Sequence, residues 1–319
     1  IEEAGIHSGD SSCTLPPITL GPDVIAKVKE ATEAIARGTG VRGLINIQFA
    51  YVSENLFVIE ANPRASRTVP FVSKATGVQL AKAAVMIGLG KTIAELKAEG
   101  YLPKNMDGAS LPQNTAIAVK AAVLPFSRFR TPEGVVVDSL LSPEMRSTGE
   151  VMGLDTLYDT AFAKAQAGAG SPLPTEGKVF ISVANHDKRN VIIYAKMLEQ
   201  LGFEIVSTGG TADVLRRNGV NSTVASKFAE ANGQHSIVDM VRNGEIDLIL
   251  STPAGGAARS DGYEIRAAAV SVGCPVMTTI SEFAAAVQAI TALRERSWEI
   301  INLQEHAEFL RTASTREQG

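Results

Sequence analysis

Apolar positions change their period along this chain. In the first half Val24, Ile25, Val28, Ala31 and Ile35 fall at helical spacing and predict a helix over 23–37, with Gly38 placed to end it. Runs at 43–52 and 55–61 read as strands, and Ser53-Glu54-Asn55 between them makes a β-hairpin. An Ala- and Val-rich stretch predicts a buried helix over 74–88, then a strand over 115–124 and a helix over 158–167. The second half alternates regularly. Strands are predicted at 179–184, 203–207, 246–250 and 276–279. Helices are predicted at 189–201, 211–218, 236–242, 263–272 and 281–294, three of them followed by Gly202, Gly219 and Gly244. Strands apolar on both faces and alternating with helices imply a parallel sheet covered on both sides. Between the halves, 168–177 carries three Gly and two Pro and suits a linker across which few contacts are expected. The tail holds a short amphipathic helix at 304–310. The fold class is therefore α/β, an α+β first part (1–169) followed by a doubly wound parallel-sheet part (170–319).

Chemistry enters at the hairpin. A turn about Glu54 sets Gln48 opposite Glu60, and Asn62, two residues on, shares that face. Ile47, Phe49, Phe57 and Ile59 then form the other face, which is expected to pack on a core. Three oxygen-bearing side chains on one face suit a hard cation such as Mg²⁺, and Arg64 and Arg67 follow closely enough to hold an anion beside it. The same pattern also describes a solvated polar face on an ordinary hairpin. Upstream, the Gly-rich loop 5–12 allows close backbone approach to a nucleotide, or is a plain surface turn with His7 as a hydrogen-bonded structural residue.

Composition narrows the classes. The 319 residues are 45% hydrophobic and 20% charged, an ordinary globular balance with enough apolar side chains for two cores. A net charge of −4 without a basic stripe argues against nucleic acid or an anionic membrane as partner, and no apolar run approaches the roughly 20 residues of a membrane span. Cys13 and Cys274 stand far apart and read as reduced thiols of a cytoplasmic protein. The chain opens on Ile1 with no secretory signal, so it is expected to begin partway through a longer protein.

Gly5-Ile6-His7-Ser8-Gly9-Asp10-Ser11, then Gln48, then Glu60-Ala61-Asn62-Pro63-Arg64-Ala65-Ser66-Arg67, then Pro143-Glu144-Met145-Arg146-Ser147-Thr148-Gly149-Glu150-Val151-Met152-Gly153 strongly resemble the carbamoyl phosphate synthetase large chain, in its second, carbamate-phosphorylating ATP-grasp unit. The resemblance implies a partial ATP-grasp over 1–169. It makes Gln48, Glu60 and Asn62 ligands of Mg²⁺ or Mn²⁺, with K⁺ a further cation it allows. It lines the nucleotide with Gly5, Ile6, His7 and Ser8, and with the metal-bearing Gln48 and Glu60. Arg64 and Arg67 would hold the carbamate or the transferred phosphoryl oxygens. The whole enzyme makes carbamoyl phosphate from bicarbonate, glutamine-derived ammonia and two ATP, for arginine and pyrimidine biosynthesis. Its implied partner is a small glutaminase subunit in a hetero-oligomer, and the isolated piece, lacking one clamp on the nucleotide, is expected to be inactive.

In the second half, Ser207-Thr208-Gly209-Gly210-Thr211 follows a strand and opens a helix, a phosphate-binding arrangement or an ordinary capped turn. This half resembles the methylglyoxal-synthase-like domain that ends the same large chains. The resemblance makes Ser182, Lys188, Thr208, Thr211 and Lys227 an allosteric site for UMP and IMP. Gln234 stands where the free synthase has its catalytic Asp, which disfavours a lyase. Ser251 and Pro253 replace an Asn and a Thr of some relatives near the effector phosphate. Glu2, Asp10 and Thr278 match an ornithine pocket, whereas Ala121 and Val276 depart from its Glu and Tyr. A second reading, a nucleotide-binding regulatory module without catalysis, stays open.

Overall fold

A computed structural model describes residues 1–2, 5–104, 116–129, 131, 136–226, 236–252, 255–306 and 308, and only the backbone over 255–261. The chain forms two compact units. One comprises Ile1–Cys13, Val119–Gly153 and Leu157–Trp298. The other comprises Thr14–Ala118, Leu154–Thr156 and Glu299–Gly319.

After a short strand β1 (Cys13–Leu15), helix α1 (Pro22–Thr39) starts on Pro22, whose fixed φ suits the first helical position. It runs through Gly38 and ends at Gly40, which takes φ +63°. Strands β2 (Asn46–Val52) and β3 (Asn55–Asn62) form the antiparallel hairpin. The single helix expected over 74–88 is instead two, α2 (Thr68–Thr76) and α3 (Leu80–Gly88). Gly77 breaks it at φ +70°, and Thr76 Oγ1 and Ser73 Oγ accept the amides of Val78 and Leu80 at 3.3 Å. Helix α4 (Ile93–Ala98), opened by a Thr92–Glu95 capping box, completes this part.

Strand β4 (Ile117–Val123) leads through a 3₁₀ turn at Phe126–Arg128 to β5 (Gly149–Asp155) and helix α5 (Tyr158–Gly168), with sheet order β1-β4-β5. Gly153 lets the α5 backbone lie directly on β5: a Cβ there would fall 2.0 Å from the Ala161 carbonyl oxygen.

The next part is the expected alternation: β6 (Lys178–Ser182), α6 (Lys188–Gln200), β7 (Glu204–Ser207), α7 (Gly209–Arg217), β8 (Thr223–Val224), α8 (Ile237–Arg242), β9 (Leu248–Ser251), α9 (Gly255–Val272), β10 (Val276–Met277) and α10 (Ile280–Glu295). The five strands pair in parallel in the order β10-β9-β6-β7-β8. Consecutive residues Val179, Phe180 and Ile181 of β6, and Leu248, Ile249 and Leu250 of β9, are all fully buried, as strands covered on both faces must be. Phe180, Val206 and Ile249 pack against Ile237, Val241, Ile265 and Ala269 of α8 and α9.

The linker does not isolate this sheet. Helix α5, before it, packs on α10, after it. Tyr263 donates to the Val136 carbonyl at 2.6 Å, and the fully buried Arg266 forks onto both Asp138 oxygens at 2.7 Å. Few contacts were expected there because Gly and Pro mark a break in regular structure, which says nothing about packing between the flanking elements. Among the described residues no helix is long and apolar enough to cross a membrane. The helix expected at 304–310 lies partly outside the described residues.

Candidate functional site

The hairpin turn is Ser53-Glu54, with φ of +49° and +65°, and Val52 pairs Asn55 across it. Two central residues at positive φ are the primed turn whose twist matches paired strands. That turn sets Phe49 opposite Val58 and Ala50 opposite Phe57. Continued unbroken, it would put Ile59 against Gln48. A bulge between Gln48 and Phe49 shifts the register instead, so Gln48 pairs Glu60 and Asn46 pairs Asn62. Gln48, Glu60 and Asn62 therefore share one face as expected, and Asn46, absent from the sequence reading, joins them. Asn46 is legible from the same cross-strand pairing, since it lies opposite Asn62.

The apolar face differs from expectation. Phe57 pairs Ala50 and so falls on the Gln48 side of the ladder, because the bulge inverts the alternation in β3. Phe57 and Ile59 are 56% and 57% exposed and pack on no core in the described chain. Glu60 is exposed and Asn62 half-buried. Beyond the strand, the Arg64 amide donates to the Asn62 carbonyl at 2.8 Å and its guanidinium to the Ala65 carbonyl at 3.1 Å, while Arg67 opens α2 half-buried.

The loop carrying Gly5, Ile6, His7 and Ser8 belongs to the other unit. Gly5 takes φ +109°, which favours glycine. His7 Nδ1 accepts the Gly9 amide at 3.0 Å, so its ring braces the local turn. Asp10, buried, accepts the amides of Arg146 and Ser147 at 2.7 and 2.9 Å, and Ser147 Oγ donates to the Gly9 carbonyl at 2.9 Å.

In the parallel sheet, β6 and β9 are neighbours from which the strand order runs outward in both directions. The crevice at their carboxyl ends is where such folds bind ligands. Ser182 ends β6, Thr208 precedes α7 and Thr211 lies in its first turn. Ser182 Oγ stands 3.2 Å from Thr208 Oγ1, Thr208 donates to Thr211 Oγ1 at 3.4 Å, and the Val183 amide donates to Thr211 Oγ1 at 3.3 Å. The Thr208 hydroxyl makes no capping bond to α7. Lys188 opens α6, and its Nζ would stand 3.2 Å from a Cβ at Gly210, which brings the ammonium to the amino end of α7. Thr252, missed in the sequence, ties β9 to β6: its hydroxyl accepts the Ala184 amide at 2.9 Å and its amide donates to the Ser182 carbonyl at 3.1 Å. Its signal was its place directly after an apolar strand beside Ser251. Lys227, Gln234 and Pro253 lie outside the described residues.

A cavity of about 280 Å³ is lined by Glu2, Asp10, Ala121, Val276 and Thr278, so both the matching and the departing positions gather there. Glu282 joins them. Burial, then the charge of Glu2, pushes its carboxyl up to about 8, although the Thr278 amide donates to it at 3.0 Å. Burial also raises both thiols, Cys274 to about 12, so neither is a thiolate near neutrality. Among the described residues no cluster of three or more His, Cys, Asp and Glu side chains exists that could hold a metal ion.

Residues 2–96 match the family model described as carbamoyl-phosphate synthase L chain, ATP binding domain, and residues 190–278 match the MGS-like domain. The chain is 67% identical over 319 residues to the carbamoyl phosphate synthase large chain of Kocuria rhizophila, covering 99% of this chain and 29% of that one. It is 67% identical over 314 residues to that of Pseudarthrobacter chlorophenolicus, covering 97% and 28%, and 59% identical over 313 residues to that of Streptomyces coelicolor. The chain thus spans under a third of these relatives. A solved methylglyoxal synthase from Elizabethkingia anophelis aligns with 40% of this chain and 97% of its own, at 14% identity and a TM-score of 0.29.

Proposed function

Because this chain belongs to the carbamoyl phosphate synthase large chain family as its C-terminal region, with an ATP-binding and an MGS-like domain, we propose that it contributes half of a carbamate-phosphorylating site and the nucleotide-effector domain of that enzyme. The whole protein would make carbamoyl phosphate from bicarbonate, glutamine-derived ammonia and two ATP, beside a glutaminase subunit in the cytoplasm. The observation that carries the reading is the bulge-set register that puts Gln48 opposite Glu60 and Asn46 opposite Asn62. One carboxylate among amide oxygens is the donor set of a hard cation that keeps its remaining positions for phosphate oxygens. Gln48, Glu60 and Asn62 would hold Mg²⁺ or Mn²⁺, which when bound neutralises phosphate charge. Arg64 and Arg67 would hold the phosphoryl or carbamate oxygens, and the Gly5–Ser8 backbone would line the nucleotide. Phosphoryl transfer is mostly positioning and charge stabilisation, so no side-chain nucleophile is required.

The isolated chain is read as inactive. Phe57, Val58, Ile59, Val85 and Leu89 are each at least half exposed, large apolar side chains that the relatives' remaining length would cover. In the second domain, three linked hydroxyls and the Lys188 ammonium, which reaches from α6 to the start of α7, support a phosphate site, read as that of UMP or IMP. The parallel sheet with this crevice also supports the narrower reading of a regulatory module without catalysis, and ATP turnover separates the two. The test uses the complete large chain with Glu60→Gln, which removes the carboxylate and keeps the hairpin. ATP synthesis from carbamoyl phosphate and ADP is expected to be lost. An unchanged rate overturns the assignment.

A further inference from the structure

One of the least exposed charges among the described residues lies beside the sequence motif 143–153. Lys120 sits on β4 with its side chain 3% exposed, between Val119 and Ala121, which are also buried. Burying an ammonium costs several kcal/mol unless it is paired, and an aliphatic residue would suit the strand better. Its Nζ donates to the Ser8 carbonyl at 3.0 Å and lies 3.8 Å from Glu150, itself in the motif. Next along the loop, the Gly9 carbonyl takes the Ser147 hydroxyl, and Asp10 takes the amides of Arg146 and Ser147. Three successive residues of the loop are thus fastened from behind by β4 and the motif. The Ser8 and Gly9 carbonyls and the Asp10 carboxylate take these bonds, while Ser8 itself stays exposed.

We infer that Lys120 and Ser147 are positioning residues that set the Gly5–Ser8 backbone for its nucleotide, an inference resting on the nucleotide-loop reading above. Neither needs to touch the ligand. Each fixes a carbonyl whose rotation would carry the neighbouring peptide planes with it, so their loss lowers nucleotide affinity and leaves the phosphoryl-transfer groups alone.

The test is ATP synthesis from carbamoyl phosphate by the complete large chain, measured against ADP concentration. Lys120→Met is expected to raise KM for ADP tenfold or more with kcat within about twofold, and Ser147→Ala to raise it about threefold. Lys120→Arg, which keeps charge and donor, should recover most of the loss. A merely structural role would lower the active fraction, hence kcat, and leave KM in place. If Lys120→Met does not fold, Ser147→Ala decides. An unchanged KM in both, or a loss confined to kcat, overturns the inference. His7→Ala is the control on the loop itself. If it too leaves KM unchanged, the nucleotide-loop reading has failed. If it raises KM while Lys120→Met and Ser147→Ala do not, only the positioning inference has.

Discussion

Lys188→Met removes one charge from the proposed effector site and keeps the length of the side chain, which makes its effect on UMP affinity calculable. Lys188 is half-buried at the start of α6, with its ammonium beside Gly210. A phosphate at the amino end of α7 would receive the Thr208 and Thr211 hydroxyls, the first-turn amides and this ammonium together. A hydrogen bond to a charged group contributes about 1.5–3 kcal/mol net. Half-burial limits solvent screening without removing it, so a middle value of about 2 kcal/mol is appropriate. That is roughly a thirtyfold rise in Kd. The assay is calorimetric titration of UMP into the intact chain, since α5 and the Asp138 segment pack on the sheet domain and a cut at the linker would strip them away. Raising the salt should weaken binding of the parent more steeply than of the variant, which has one cation fewer to screen. IMP should show the same loss, because the phosphate is common to both. A variant that binds UMP within twofold of the parent would show that Lys188 does not face the phosphate. A parent that binds neither nucleotide would refute the sensor reading itself.

Three further outcomes follow from the geometry. Glu282 holds its proton in the folded chain up to about pH 8, against an ordinary 4.5, so folding gains a proton between those values. The stability this one carboxyl contributes is then fully present below about pH 4.5 and is lost as pH rises toward 8, by at most about 1.4 kcal/mol per unit. Glu282→Gln should flatten that slope in urea unfolding at successive pH values, and parallel curves for parent and variant would contradict the protonated state. Gly153→Ala should destabilise by about 3 kcal/mol or more, because the added Cβ meets the backbone of α5 at Ala161 and Ala165, which cannot rotate away; a change in unfolding midpoint equivalent to under about 1 kcal/mol would show that α5 lifts off β5 easily. ATP hydrolysis by the isolated chain should be undetectable beside the complete enzyme, and turnover at a comparable rate would remove the half-site reading.

How far the site could be read from sequence is clearest at the hairpin. A turn centred on Glu54, as the sequence suggests, faces Gln48 with Glu60. The turn is in fact Ser53-Glu54, one step different, and the bulge at Gln48/Phe49 returns the register to the foreseen pair. Two departures of one residue cancel at the polar end of the ladder and not at the apolar end, so Phe57 lies on the opposite face from the one its spacing predicts. No Asn-Gly or Asp-Gly marks this turn, so neither its length nor the bulge had a local signal. The parallel sheet was legible because strands buried on both faces are apolar at every position, and a run such as Leu248–Leu250 leaves no phase to misjudge. The break at Gly77 lay inside a helical pattern, where one Gly is tolerated often enough to be passed over.

The supports of the loop were illegible for a different reason. Asp10 meets Arg146 and Ser147, and Lys120 meets Ser8, at separations above a hundred residues. No periodicity links such positions, since what joins them is the return of β4 and β5 to the same sheet as β1. The motif 143–153 was recognisable as a pattern, yet its parts do different work. Ser147 holds a loop carbonyl, Glu150 faces a buried ammonium, and Gly153 admits a helix backbone. Glu282 shows the limit of a local signal. Thr279-x-x-Glu282 announces a helix start, and Thr279 does cap α10. The carboxylate, however, bonds the Thr278 amide inside a cavity shared with Glu2, and that environment makes it a proton-binding group rather than a plain cap. Residue type and spacing fix what a side chain is able to do, and partners remote in sequence decide which of those things it does.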